Sequence, residues 1–256
     1  QERVKSMKTY AFAVEKGGTG KTTMSVSTAI ELSKIGKTVL IDADPQGNAS
    51  AWAGANTAIR YELADILNEN CKIESALQNT IAPNLFILPT IGLDGGLRLF
   101  RSRAIYENPM AIKHLVKELS ETFDYCIFDT SPAFDEFEKK IFISCNELLP
   151  VLMLDAFSLD GAEIFFNNIQ TMKQKNDIEG EPYIKKIILN GNDNRIKQHA
   201  ELLKAFNKAY NNFDLYTFPV DQAHRKAQQN RLTLHDLTDT KKDTLETLDA
   251  LASELK

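Results

Sequence analysis

Apolar residues along the chain fall into two rhythms. Short, nearly unbroken apolar runs occur at 8–14 (KTYAFAV), 38–42 (TVLID), 84–90 (NLFILPT), 125–130 (YCIFDT), 148–154 (LLPVLML), 184–190 (IKKIILN) and 215–220 (LYTFPV). Runs of this length without polar alternation predict strands covered on both faces. Between them lie segments with apolar positions three and four apart, at 22–35, 108–121, 158–174 and 195–210, which predict amphipathic helices. Such regular alternation predicts an α/β fold: one doubly wound, mainly parallel sheet of about 7–8 strands with helices on both faces. A single domain over 8–256 is expected, with residues 1–7 set aside as a tail or expression remnant. The last helical segment, DTLETLDALASELK, puts Leu245, Leu248, Leu251, Ala252 and Leu255 on one stripe, with acidic or small residues opposite. That pattern suits packing on the body; a membrane-surface helix would want Lys and Arg on its polar face.

Composition narrows the picture. With 256 residues and 43% hydrophobic content, the chain can bury a full core. A net charge of −5 and a pI near 5.5 argue against the whole molecule being a polyanion binder. The charge is uneven, however. Nine basic and four acidic residues lie between Tyr183 and His235, a local +5, which reads either as a solvated face or as a phosphate-binding patch. Cys71, Cys126 and Cys145 lack C-x-x-C spacing and read as reduced thiols, Cys126 as a small buried hydrophobe. No secretory leader is recognisable, and no apolar run approaches the ~20 residues that cross a bilayer. A cytoplasmic location is expected.

Ligands of doubly wound sheets bind beyond the carboxyl ends of the strands, and three motifs lie there. The first is VEKGGTGKTT (14–23), between a predicted strand and a predicted helix. Gly17, Gly18 and Gly20 let backbone N–H groups close around phosphate oxygens, with Thr19 and Thr23 in the same loop and the helix adding its positive end. Lys21 supplies a charge to the β- and γ-phosphates and Thr22 a hydroxyl to Mg²⁺. The usual loop, G-x-x-x-x-G-K-[ST], would have glycine where this chain has Glu15; a second lysine, Lys16, follows it. The second motif, IDADPQGNAS (41–50), sets Asp42 and Asp44 two residues apart at a strand end, facing a nucleotide or merely opening a turn. The third, FDYCIFDTSP (123–132), ends an apolar strand on Asp129, a carboxylate suited to the outer shell of Mg²⁺.

Together, KGGTGKTT, DADPQGNAS and an apolar run ending in Asp-Thr-Ser-Pro resemble the ParA/Soj branch of the ParA/MinD family of deviant P-loop ATPases. The resemblance runs from about Lys8 to the terminal helix. It implies Mg²⁺-dependent, slow ATP hydrolysis by a P-loop NTPase in which ATP drives homodimerisation. Lys16 would then reach across the dimer to the partner's ATP, as an arginine finger does. Asp44 would position the attacking water, with Asp42 and Asp129 near the metal. Asn190, after the run IILN, would read the adenine edge, although on its own it reads as a turn residue. In FPVDQAHRKA, Pro219 and Asp221 would flank the adenine.

The implied function is DNA partition, of a plasmid or a chromosome. The ATP dimer would bind nucleoid DNA without sequence preference and be released when a ParB-like partner stimulates hydrolysis. Arg195, Arg225 and Lys226 are the candidate DNA contacts. The sequence shows no added helix-turn-helix region before the phosphate loop, so operator-specific repression is not expected. The alternatives are a MinD/FlhG-like positioning ATPase acting on membrane or a polar structure, and a reductase or ligase on the same scaffold. The acidic last helix counts against membrane, and SPAFDEFEKK lacks cluster-binding cysteines, with Cys145 expected within the following helix. Two segments depart from the family. SPAFDEFEK replaces Pro-Pro-Ser-Leu-Gly after Asp129, and LMLDAF replaces the Gln-x-Glu segment after the fifth predicted strand.

Overall fold

In a computed structural model, which describes residues 6–54, 58–92 and 94–256, alternate residues of the central strands point into two different cores. In β1 (Lys8–Ala13), Ala11 and Ala13 join one apolar cluster, Tyr10 and Phe12 the other. In β5 (Tyr125–Thr130), Cys126 and Phe128 divide from Tyr125 and Ile127 in the same way. Both faces are therefore dry, which is why these strands read as continuous apolar runs.

The other strands are β2 (Thr38–Ala43), β3 (Gln78–Asn79), β4 (Leu85–Leu88), β6 (Glu147–Met153), β7 (Lys186–Asn192) and β8 (Asp214–Pro219). They form one sheet in the order β3-β4-β2-β5-β1-β6-β7-β8. All pairings are parallel except β3 with β4. Each of the seven predicted runs became a strand. The two-residue edge strand β3 is too short to leave a pattern. β7 runs on to Asn192 through an irregularity between Leu189 and Asn192, where Gly191 has φ 80°.

Helices Lys21–Ser33, Asn48–Ala53, Ala223–Asn230 and Lys242–Glu254 cover one face. Helices Ala111–Leu119, Glu136–Phe142, Ser158–Lys175 and Lys197–Ala209 cover the other, with a helical run from Leu97 to Glu107 whose middle, Phe100–Ala104, is π-helical. The predicted terminal stripe is in place: Leu248, Leu251, Ala252 and Leu255 are buried, against the helix Lys21–Ser33 and β8. Cys145 corrects an expectation. The helix after Asp129 ends at Phe142, and Cys145 is buried in the turn leading into β6. Among the described residues no helix is long and apolar enough to cross a membrane.

One feature of the topology positions the site. β5 enters between β2 and β1, so the carboxyl ends of these three strands are neighbours, with Asp42 and Asp129 as register partners and Phe12 beside Asp129.

Candidate active site

Residues 14–20 form the loop between β1 and the helix Lys21–Ser33. The helix is capped by Gly20, in the left-handed region at φ 99°. A Cβ there would lie 2.3 Å from Asn190 Nδ2, so only glycine fits both the turn and its neighbour. Gly18 also has positive φ (73°), with open space beyond it. The buried Thr19 hydroxyl has no hydrogen-bond partner among the described residues. The loop thus presents backbone N–H groups and a helix start to one point, the arrangement that binds phosphate.

Lys21 is buried, and its Nζ donates to the Lys16 carbonyl at 3.0 Å. Burial lowers its pKa, while the charges of Asp129, Asp44 and Glu138 pull it back up. Lys21 is therefore a cation held over the loop, among the described residues, by a single neutral acceptor. The two residues that make this loop unusual have separate partners. Glu15 accepts a hydrogen bond from Asn168 Nδ2 at 2.6 Å, tying the loop to the helix Ser158–Lys175. Lys16 is 45% exposed and pairs with Asp155, at 2.5 Å, in the LMLDAF segment after β6. Exposed pairs of this kind contribute about 0–1 kcal/mol, so Lys16 is released at little cost.

The acids form the other wall. Thr22 Oγ1 donates to Asp129 Oδ2 at 2.8 Å, while Asp129 Oδ1 is buried with no partner among the described residues. Asp42 receives Ser50 N and Ser50 Oγ on Oδ2, at 2.7 and 2.6 Å, and Asp44 N on Oδ1 at 3.3 Å. Burial raises the pKa of both Asp42 and Asp129, and nearby carboxylates add to the effect. Two buried carboxyls, one with an orphaned oxygen and a threonine hydroxyl on the other, fit a divalent cation and its water shell. Asp44 Oδ1 accepts from Gln46 N at 2.9 Å, and the turn closes at Gly47 (φ 68°), where a Cβ would meet Thr90 O at 2.8 Å. Thr90 supports the same corner by donating to the Asp42 carbonyl at 2.6 Å.

Sequence reasoning passed over Ser50, although it stands in the second motif. Ser50→Ala should lower stability by about 1–3 kcal/mol, since it removes a buried donor from Asp42; chemical denaturation of the two proteins checks this. Also missed was a cluster behind Asp129. Arg101, from the π-helical turn, donates to Ser131 Oγ (2.9 Å), Asp135 (3.0 Å) and Glu138 (2.9 Å), and Ser131 donates to Glu138 at 2.5 Å. The departure SPAFDEFEK is thus an internally bonded unit, and Ser131 and Glu138 belong to it.

At the other end of the loop, Asn190 Nδ2 donates to the Thr19 carbonyl at 3.0 Å, leaving its amide oxygen to accept. Pro219 is half-buried at the end of β8. Asp221 spends both oxygens within the chain, accepting from Ala223 N (2.9 Å), Lys241 N (2.9 Å) and Thr244 Oγ1 (2.7 Å). It shapes this wall by fixing two helix starts.

The three basic residues singled out from the sequence are unequal. Arg195 forks onto Asp193 at 2.9 and 2.6 Å, holding that carboxyl well below the usual range. Lys226 pairs with Asp239. Arg225 is exposed, with no ion pair among the described residues.

A family model described as an AAA domain matches residues 7–180. The chain is 30% identical over 179 residues to a virulence plasmid ParA family protein of Chlamydia psittaci, covering 68% of each. It is 29% identical over 244 residues to an uncharacterized protein of Borreliella burgdorferi, covering 94% of this chain and 96% of that one. Its fold matches apo McdA of Cyanothece, with a TM-score of 0.83 and 21% identity over 97% and 99% of the two chains. It also matches a Borrelia burgdorferi plasmid partition protein bound to AMPPNP, with a TM-score of 0.78 and 21% identity over 97% and 98%.

Proposed function

The chain belongs to the ParA/MinD family of P-loop ATPases, and from that premise we propose that it is a ParA/Soj-type DNA-partition ATPase switched by ATP-driven dimerisation. The observation that carries this reading is the meeting of two lysines at one loop: Lys21 buried inside it and Lys16 exposed at its edge, on a weak intrachain pair. A single-chain phosphate site needs the first and has no use for the second.

ATP would lie with its phosphates in the loop formed by Gly17, Gly18, Thr19 and Gly20 and its base between Asn190 and Pro219. Lys21 balances the β/γ charge, and Thr23 follows in the first turn of the helix. Mg²⁺ would be held by Thr22 with Asp129 and Asp42 behind it, and would neutralise charge on the transferring phosphoryl group. Asp44, on the tight turn that Gly47 permits, orients the attacking water. Lys16 leaves Asp155 and reaches the partner's nucleotide. Hydrolysis removes the charge that holds it and the dimer relaxes.

DNA is the cargo surface in this reading, and a ParB-like protein the stimulating partner. The apolar stripe of the terminal helix packs on the body, which supports DNA rather than lipid as the cargo surface. Dimerisation doubles a modest patch centred on Arg225, so affinity should rise steeply when ATP binds. Retention of duplex DNA with ATP, ADP or no nucleotide across a salt series tests this. The expectation is ATP-only binding that weakens linearly in log salt, with a slope of about −0.9 per phosphate contact, and a shallower slope for Arg225→Ala. Nucleotide-independent binding, or lipid binding without DNA binding, would overturn it.

A further inference from the structure

A second cluster lies at the far end of the helix that begins at Lys21. Glu31 in its last turn, His235 in the turn Leu234–Asp236 and Asp249 on the terminal helix each bring one ligand atom to within 4.8 Å of the others. Glu31 is almost fully buried, and its Oε1 lies 2.6 Å from His235 Nε2. The Lys34 ammonium contacts Glu31 Oε2 and sits 2.9 Å from the same Nε2.

With Glu31 and Lys34 both charged, this arrangement has a fault that neither tautomer of His235 repairs. Nε2 carries either a proton or a lone pair. With a proton it donates to Glu31 and then faces the ammonium, another donor, at 2.9 Å. With a lone pair it accepts from Lys34 and then faces a carboxylate oxygen at 2.6 Å. One of the two contacts is repulsive in either state. A cation bearing no hydrogens, placed among His235 Nε2, a Glu31 oxygen and an Asp249 oxygen, which lie within 4.8 Å of one another, meets acceptors alone. The last carbonyls of the helix add negative potential at the same end.

We propose that Glu31, His235 and Asp249 form a divalent transition-metal site, with Lys34 as the resident cation that the metal displaces. One imidazole and two carboxylates, with water completing the shell, is a donor set that suits Zn²⁺ and leaves a position open. Lys34 is half-exposed and on a flexible stem, so it can withdraw. The three ligands come from the phosphate-loop helix, the segment after Ala223–Asn230 and the terminal helix, and a metal would lock these together. The site shares no residue with the nucleotide site and does not depend on the partition reading.

The test titrates ZnCl₂ into the full chain against a chromophoric zinc chelator, with excess MgCl₂ present to occupy the nucleotide-site acids. One Zn²⁺ per chain is expected. His235→Gln should abolish the binding and Asp249→Asn weaken it by about 10- to 100-fold. All three cysteines are retained throughout, so any thiol contribution cancels. Lys34→Gln decides between metal site and mere ion pair: it should tighten Zn²⁺ binding by about tenfold with an unchanged melting temperature, which excludes a gain from newly exposed Cys126 or Cys145. Binding in the wild type no stronger than in His235→Gln, or a Lys34→Gln variant that binds no better than wild type, overturns the proposal.

Discussion

Lys21→Met is expected to keep its fold and to lose ATP hydrolysis by about 100- to 1,000-fold, the usual effect of removing one preorganised charge from a reacting oxyanion. In the free protein the Lys21 ammonium is buried and, among the described residues, bonds only the Lys16 carbonyl. Burial lowers its pKa, so the charge is held at a cost that nearby carboxylates offset only in part. Methionine keeps the stem's volume and removes that cost. The nucleotide-free variant should therefore melt no lower than wild type, and phosphate release should collapse. A melting temperature that falls together with the activity would make Lys21 a structural residue and sink the assignment.

Arg101→Ala is expected to cost about 1–3 kcal/mol of stability at neutral pH, because it strips a shared donor from Ser131, Asp135 and the buried Glu138, and more once Glu138 is charged above pH about 8. Glu138 is 0% exposed and Arg101 nearly buried. Burial, and then the hydrogen bond to Asp135, push the Glu138 pKa up to about 8, against the pull of Arg101 and Ser131. At neutral pH the folded chain therefore holds a proton here that the unfolded chain releases. A raised carboxyl pKa gives stability that is complete below the ordinary glutamate range and lost as pH rises through about 8. Glu138→Gln, which mimics the protonated form, should match wild type near pH 4 and exceed it near pH 9. Urea denaturation of the three proteins at both pH values measures this, and a Gln variant that is worse at high pH contradicts it. The cluster matters to chemistry because Ser131 and Pro132 follow Asp129 within three residues, and Pro132 is what a side chain at Gly17 would touch.

The layout of the sheet was legible because both its faces are buried. Seven apolar runs could be read directly, and the order of glycines and acids at their ends placed the nucleotide motifs. What escaped was short or reciprocal. β3 has two residues, and helix Glu136–Phe142 begins inside the departure segment, its apolar face only Phe137, Ile141 and Phe142. Thr90 and Arg101 matter through distant partners, Asp42 and Ser131, while Ser50 and Glu138 reach Asp42 and Ser131 across turns whose geometry no local spacing announces. The basic window between 183 and 235 was visible as a count. Its internal pairing was not: Arg195 and Lys226 are already matched to Asp193 and Asp239. Lys16 stands between these cases. Its place in the loop was plain in the sequence, while Asp155, which holds it in the free chain, becomes its partner only through the fold.

The central claim is that ATP joins two chains through Lys16. Sedimentation velocity of wild type and Lys16→Ala, each with Mg-ATP, Mg-ADP and no nucleotide, addresses it directly. A dimer is expected in one condition of the six, wild type with Mg-ATP, and monomers in the rest. A Lys16→Ala protein that dimerises with Mg-ATP as wild type does, or a wild type whose mass ignores the nucleotide, would contradict it.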